Sequence, residues 1–166
     1  MTNEKQNSLS DQAEAMARLA SCPPSVRRLI DELGYPLLGA SELPAFLRAE
    51  PAVVTVLFFT EDPQRYPESD DVAVVLPELV RHFAGRLRPA VVARQDERAL
   101  QALYGFQKWP ALVFLRGEDY LGAITGIQDW HVYLERIEAL LRADPKRPPV
   151  AVGIPVVGDG SSSVAS

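Results

Sequence analysis

A single cysteine, Cys22, and two histidines, His82 and His131, are all that this 166-residue sequence offers toward thiol or metal chemistry. One cysteine forms no internal disulfide. Its surroundings, Ala20-Ser21-Cys22-Pro23-Pro24, supply neither a second metal ligand nor a neighbouring cation to lower the thiol pKa, so a structural thiol is expected. The histidines fall on separate predicted helices, away from any ligand-spaced cluster of Cys, Asp or Glu, and no metal site is expected. There is no glycine-rich loop placed after a strand to cradle phosphate and no Gly-x-Ser-x-Gly elbow. Gly117, Gly122 and Gly126 are spaced for a hairpin and its exit. No nucleophilic set remains, and nothing calls for a cofactor.

A basic stripe is missing as well. The formal net charge is -5 and the sequence pI about 5.1, which makes nucleic acid a poor partner and a basic peptide a better one. No apolar run approaches the roughly 18 residues of a membrane span, and Met1 to Gln12 is polar, without the apolar core of a signal peptide. A cytoplasmic protein without membrane insertion is therefore expected.

What is present is 47% apolar content, enough for one ordinary core. Residues 1–22 read as a partly helical extension in which Ser10 caps a helix to about Ala20, broken by Pro23-Pro24. Residues 23–144 form the predicted domain, and 145–166, rich in Pro, Gly and Ser, a disordered tail. Within the domain, Tyr35–Leu38 is an edge-strand candidate, and Ser41 caps a helix to about Glu50. Val53–Phe59 lacks polar alternation and reads as a central strand covered on both faces. A helix then opens at Ser69 or Asp71 and runs to His82 or Phe83 through Pro77, where a kink is expected. Arg88–Arg94 is the next strand, and Asp96–Tyr104 a helix ended by Gly105. Pro110–Arg116 and Tyr120–Thr125 form a hairpin, and a last helix spans Gln128–Arg142. The order β-α-β-α-β-α-β-β-α, wound with right-handed crossovers, predicts an α/β fold: a central mixed sheet with helices on both faces and an extra N-terminal helical segment.

Two stretches stand out. Trp109-Pro110 enters Ala111-Leu112-Val113-Phe114-Leu115, which resembles the cis-proline strand of a thioredoxin fold. The central strand, where that fold carries its Cys-x-x-Cys pair, is followed instead by Thr60-Glu61-Asp62-Pro63-Gln64-Arg65-Tyr66-Pro67-Glu68-Ser69-Asp70-Asp71. This loop lies at the C-terminal end of a central strand, where open α/β sheets bind ligands. Ser69, Asp70 and Asp71 have a plain reading as helix caps, whereas Asp62 and Glu68 are spare charge. Trp109 is either a contact residue or only a core or lid residue, and Arg65 either a ligand contact or an internal partner of Glu68 or Asp71.

Asp62-Pro63-x-Arg65-x-Pro67-Glu68, then Trp109-Pro110-Ala111, then Gly117-x-x-Tyr120-x-Gly122-x-x-x-Gly126-Ile127-x-x-Trp130 resembles the hydrogenase-maturation family labelled HyaE, HupG or HoxO, over about Leu33 to Arg142. The resemblance implies a thioredoxin-like protein without redox cysteines. It would be a chaperone in assembly of a membrane-bound uptake nickel–iron hydrogenase, with the hydrogenase small-subunit precursor as partner. On that reading the twin-arginine pair of the precursor's signal peptide would meet Glu61, Asp62, Glu68, Asp70 and Asp71. The apolar segment would lie near Trp109, Pro110, Ile127 and Trp130, and Pro63 and Arg65 are counted among the partner-binding residues. The folded small subunit is an alternative epitope. Thiol or glutathione-linked chemistry at Cys22 and an adaptor role for the Gln128–Arg142 helix among other maturation proteins are the alternative functions.

Overall fold

The computed structural model describes residues 2–149. The chain opens with α1, Thr2–Ala20, which begins eight residues before the predicted cap Ser10. Nothing between Thr2 and Pro23 stops a helix: the stretch holds no Gly or Pro, and Ala, Glu, Gln, Met and Leu favour the conformation. Pro23 and Pro24 end that run and start α2, Pro24–Asp31, with Pro24 at the first turn, where a missing donor costs nothing.

Five strands follow in the predicted order. They are β1 (Leu37–Leu38), β2 (Val54–Phe59), β3 (Leu87–Val92), β4 (Ala111–Arg116) and β5 (Asp119–Thr125). In the sheet they stand as β1-β3-β2-β4-β5. β1 and β2 run parallel to β3, while β4 runs antiparallel to β2 and β5 antiparallel to β4. All six residues of β2 are buried, as its uninterrupted apolar run predicts for the middle of a covered sheet.

Helices α3 (Leu43–Ala49), α4 (Glu68–His82), α5 (Glu97–Tyr104) and α6 (Trp130–Arg142) complete the fold, with a short 3-10 turn at Arg94–Asp96 before α5. The pleat sorts the core into two layers. Val54, Val56 and Phe58 of β2 meet α2, α4 and α6 through Leu29, Leu76, Tyr133 and Ile137. Leu57 and Phe59 meet α3 and α5 through Leu47, Leu100 and Tyr104, along with Trp109.

Helix starts depart from the sequence reading. α3 has Glu42 at its cap position without a side-chain cap bond, so Ser41 does not cap it. Glu42 Oε1 instead accepts the N–H of Gly39 at 3.2 Å. α4 runs through Pro77 and begins at Glu68, with Pro67 at the cap position and again no side-chain cap bond. Pro145–Pro149, the start of the predicted tail, has no regular secondary structure. Lys146 N–H donates to the Tyr120 carbonyl at 2.9 Å, clipping this stretch to the free edge of β5. The rest of the predicted tail, 150–166, lies outside the described residues.

Candidate functional site

The chain leaving β2 is held from below by one buried carboxylate. Thr60 N–H donates to Glu97 Oε2 at 2.6 Å, and Glu61 N–H reaches both oxygens of the same group at 3.2 and 3.1 Å. Glu61 adopts φ +51°, a left-handed conformation uncommon outside glycine, and the Glu97 acceptor is what secures its N–H there. Glu97 itself is 1% exposed. Burial pushes its carboxyl up to about 7; the two backbone donors pull it down by less, the Glu61 charge pushes it further up, and Arg94 opposes.

Most acids of the loop are used inside the molecule. The Glu61 carboxylate faces the Arg98 guanidinium at 3.4 Å, and Asp62 faces Arg94 at 3.9 Å. Asp62 also closes the turn that contains Pro63: its Oδ1 accepts Gln64 N–H at 2.9 Å and its carbonyl accepts the N–H groups of Arg65 and Tyr66. The caps assigned to Ser69 and Asp70 do not form. Ser69 is buried and its hydroxyl donates to the Thr60 carbonyl at 2.5 Å, while Asp70 accepts the Ser25 hydroxyl at 2.5 Å, tying α2 to α4. Asp71 is exposed in the first turn of α4, where with Glu68 and Asp70 it still opposes the helix dipole. Arg65 is exposed, with its guanidinium 5.7 Å from the Tyr66 ring centroid and no carboxylate within ion-pair distance among the described residues.

The Trp109–Pro110 bond is cis, and the two stretches singled out by sequence meet beside it. Pro110 accepts Gly126 N–H at 2.8 Å, and Ile127 N–H donates to Glu68 Oε2 at 3.0 Å. Pro110, the Gly126–Ile127 turn and the start of α4 therefore form one corner.

Trp109 plays the core role within that corner. It is 7% exposed, packed against Phe59, Phe106 and Tyr66 at centroid distances of 6.2, 5.0 and 6.5 Å, with Arg98 5.3 Å from its ring. Its placement in the path of an apolar ligand segment is corrected accordingly. Ile127 is half-buried, and Trp130, at the start of α6, is 44% exposed with its ring edge-on to His82 at 5.9 Å. Of the exposed residues, Asp71 stands at the start of α4 and the Ile127 turn at the corner, whereas Trp130 lies against His82 at the other end of α4.

Cys22 is half-buried between α1 and α2, donating to the Arg18 carbonyl at 3.4 Å. Folding brings Arg27 and Arg94 close enough to pull its pKa down, which the local sequence did not predict, but burial outweighs them and the thiol pKa is raised. Among the described residues no cluster of three metal-ligating side chains exists. None of their helices is long and apolar enough to cross a membrane.

These observations define a thioredoxin-like protein with carboxylates, held by backbone and arginine partners, after its central strand. The fold is shared with a chain in the crystal structure of the ferredoxin:thioredoxin reductase and thioredoxin f2 complex, at a TM-score of 0.54 and 18% identity over 63% of this chain and 93% of that one. A family model described as "Hydrogenase-1 expression protein HyaE" matches residues 25–133. The hydrogenase expression/formation protein HoxO of Azotobacter vinelandii is 53% identical over 121 residues, covering 73% of this chain and 80% of that protein. HupG of Bradyrhizobium diazoefficiens, with the same description, is 45% identical over 122 residues, covering 72% and 82%. The chain belongs to the HyaE family of hydrogenase expression proteins.

Proposed function

We propose that this protein is a non-catalytic assembly factor that holds the small-subunit precursor of a membrane-bound uptake nickel–iron hydrogenase in the cytoplasm before export. The observation that carries the reading is the corner after β2, which has no thiol and whose loop is fixed by Glu97, Arg94 and Arg98. A corner built this way presents a fixed surface to a partner. Exposed Trp130, the Ile127 turn and Asp71 are the contact residues on this reading, with Trp130 as apolar anchor and Asp71 steering a basic patch.

The test is binding of the purified precursor, intact and lacking its signal peptide. Trp130→Ala should weaken capture about tenfold or more, as expected of an exposed aromatic anchor. Asp71→Asn should flatten the salt dependence with a smaller loss. Wild-type affinity in both variants at low salt would remove this surface from the reading. Retention of binding after signal removal would make the folded subunit the epitope.

A further inference from the structure

The sheet ends in two edges of unequal length. β1 is a strand of two residues, too short to seat a partner strand. β5 runs for seven residues, and its stretch Tyr120-Leu121-Gly122-Ala123-Ile124-Thr125 holds neither a charge nor a proline, the residues that ordinarily keep an edge from pairing. Whatever closes this edge comes from outside the strand.

The register fixes which backbone groups face outward. Gly126 N–H donates to the Pro110 carbonyl, Ile124 stands opposite Leu112 and Gly122 opposite Phe114, so antiparallel alternation turns these residues toward β4 and turns Ala123 and Thr125 toward the free side. The register shift at Phe114/Leu115 brings the Tyr120 carbonyl to the free side as well, where it meets Lys146.

Each of these three carbonyls is covered by a group from elsewhere in the chain. Thr125 accepts the Gln128 side-chain amide at 2.8 Å, Ala123 accepts the Arg136 guanidinium at 3.3 Å, and Tyr120 accepts the Lys146 N–H at 2.9 Å. The Lys146 side chain also passes over Gly122, where a Cβ would stand 3.7 Å from Nζ. The outward N–H groups of Ala123 and Thr125 meet no acceptor among the described residues.

The covers are not equally secured. Arg136 stands on α6 beside buried Ile137, and Gln128 precedes that helix. Lys146 lies past the helix end at Arg142, among exposed residues, and its N–H is the one backbone hydrogen bond that ties 144–149 to the sheet among the described residues. This strap is the cover that can let go.

We propose that the free edge of β5 is a latent pairing surface for a second copy of this chain, held closed by Gln128, Arg136 and the Pro145–Pro149 strap. A second copy fits because an antiparallel edge is its own complement: a two-fold axis beside Ala123 sets the donors of each β5 against the acceptors of the other. Gly122 and Ala123 at the centre are small enough for the backbones to approach. Self-pairing through β5 does not depend on precursor capture.

The experiment follows association of the full chain by sedimentation over a wide range of concentration, with amide hydrogen exchange read at Ala123 and Thr125. Lys146→Pro, which removes the strap's N–H, should dimerise at concentrations at least tenfold below wild type, and the triple variant Lys146→Pro, Gln128→Ala, Arg136→Ala lower still. Lys146→Ala keeps the N–H and should stay closer to wild type. The Ala123 and Thr125 amides should exchange freely in the monomer and become protected in the dimer. A triple variant with native circular dichroism that associates no more than wild type overturns the proposal, as does a dimer in which both amides still exchange freely. A triple variant that dimerises while Lys146→Pro alone matches wild type overturns the strap as the releasable cover.

Discussion

Glu97 at the start of α5 lies 2.6 Å from the backbone nitrogen of Thr60, so the first peptide unit beyond β2 hangs on a side chain 37 positions downstream. That contact joins the β3–α5 connection to the loop that shapes the corner.

The Glu97 carboxyl makes stability depend on pH in a defined direction. Its folded value is about 7 against 4.5 for the free group, so between these values the folded chain keeps a proton that the unfolded chain has released. The contribution is full below about pH 4.5 and lost as pH rises through 7, on the order of 3 kcal/mol in all. Glu97→Gln keeps an acceptor and removes the charge, so its melting temperature relative to wild type should rise from pH 5 to pH 8. A difference that stays constant over that window would refute the assignment. Glu97→Ala leaves both N–H groups without an acceptor and should cost about 2–5 kcal/mol.

Glu68 and Gly126 should behave as a coupled pair. Gly126 has φ +67°, and a Cβ there would stand 3.0 Å from Glu68 Oε2, the oxygen that accepts Ile127 N–H. Gly126→Ala should therefore cost about 1–2 kcal/mol and displace the carboxylate. Glu68→Ala should cost about 1 kcal/mol on this exposed surface. Urea unfolding of the double variant should show less than the sum; strict additivity would mean that the carboxylate does not hold the turn.

Trp109 should report on folding and leave binding alone. Trp109→Ala should cost about 3–5 kcal/mol, because it empties the space among Phe59, Tyr66 and Phe106, and Trp109→Phe should cost less. Folded Trp109→Phe should capture precursor with wild-type affinity. A tenfold loss there would return the indole to the binding surface.

The strands were legible because β2 and β4 are continuous apolar runs bounded by Pro and charge, and because Trp109-Pro110 marks the entry to β4. The hairpin was legible in its glycines. Helix starts were less so: Ser41, Ser69 and Asp70 have the chemistry of caps, yet Ser69 and Asp70 bond across the fold to Thr60 and Ser25. The resemblance put Glu68 and Pro110 on one partner surface, but the neutralisation of Glu61 and Asp62 was not visible, since Arg94 and Arg98 sit on a different element. Glu97 gave no local sign at all. An acid beside Arg94, Asp96 and Arg98 reads as a solvated helix start until the loop from 60 to 62 folds over it.

The five strands act as a partition between two apolar compartments that share backbone but not side-chain contacts. Trimming Ile137 on one side and Leu100 on the other should produce losses that simply sum, whereas trimming Leu100 with Tyr104 should not. One side can consequently change in shape while the other keeps its packing, so α3 and α5 can be remodelled without disturbing α2, α4 and α6.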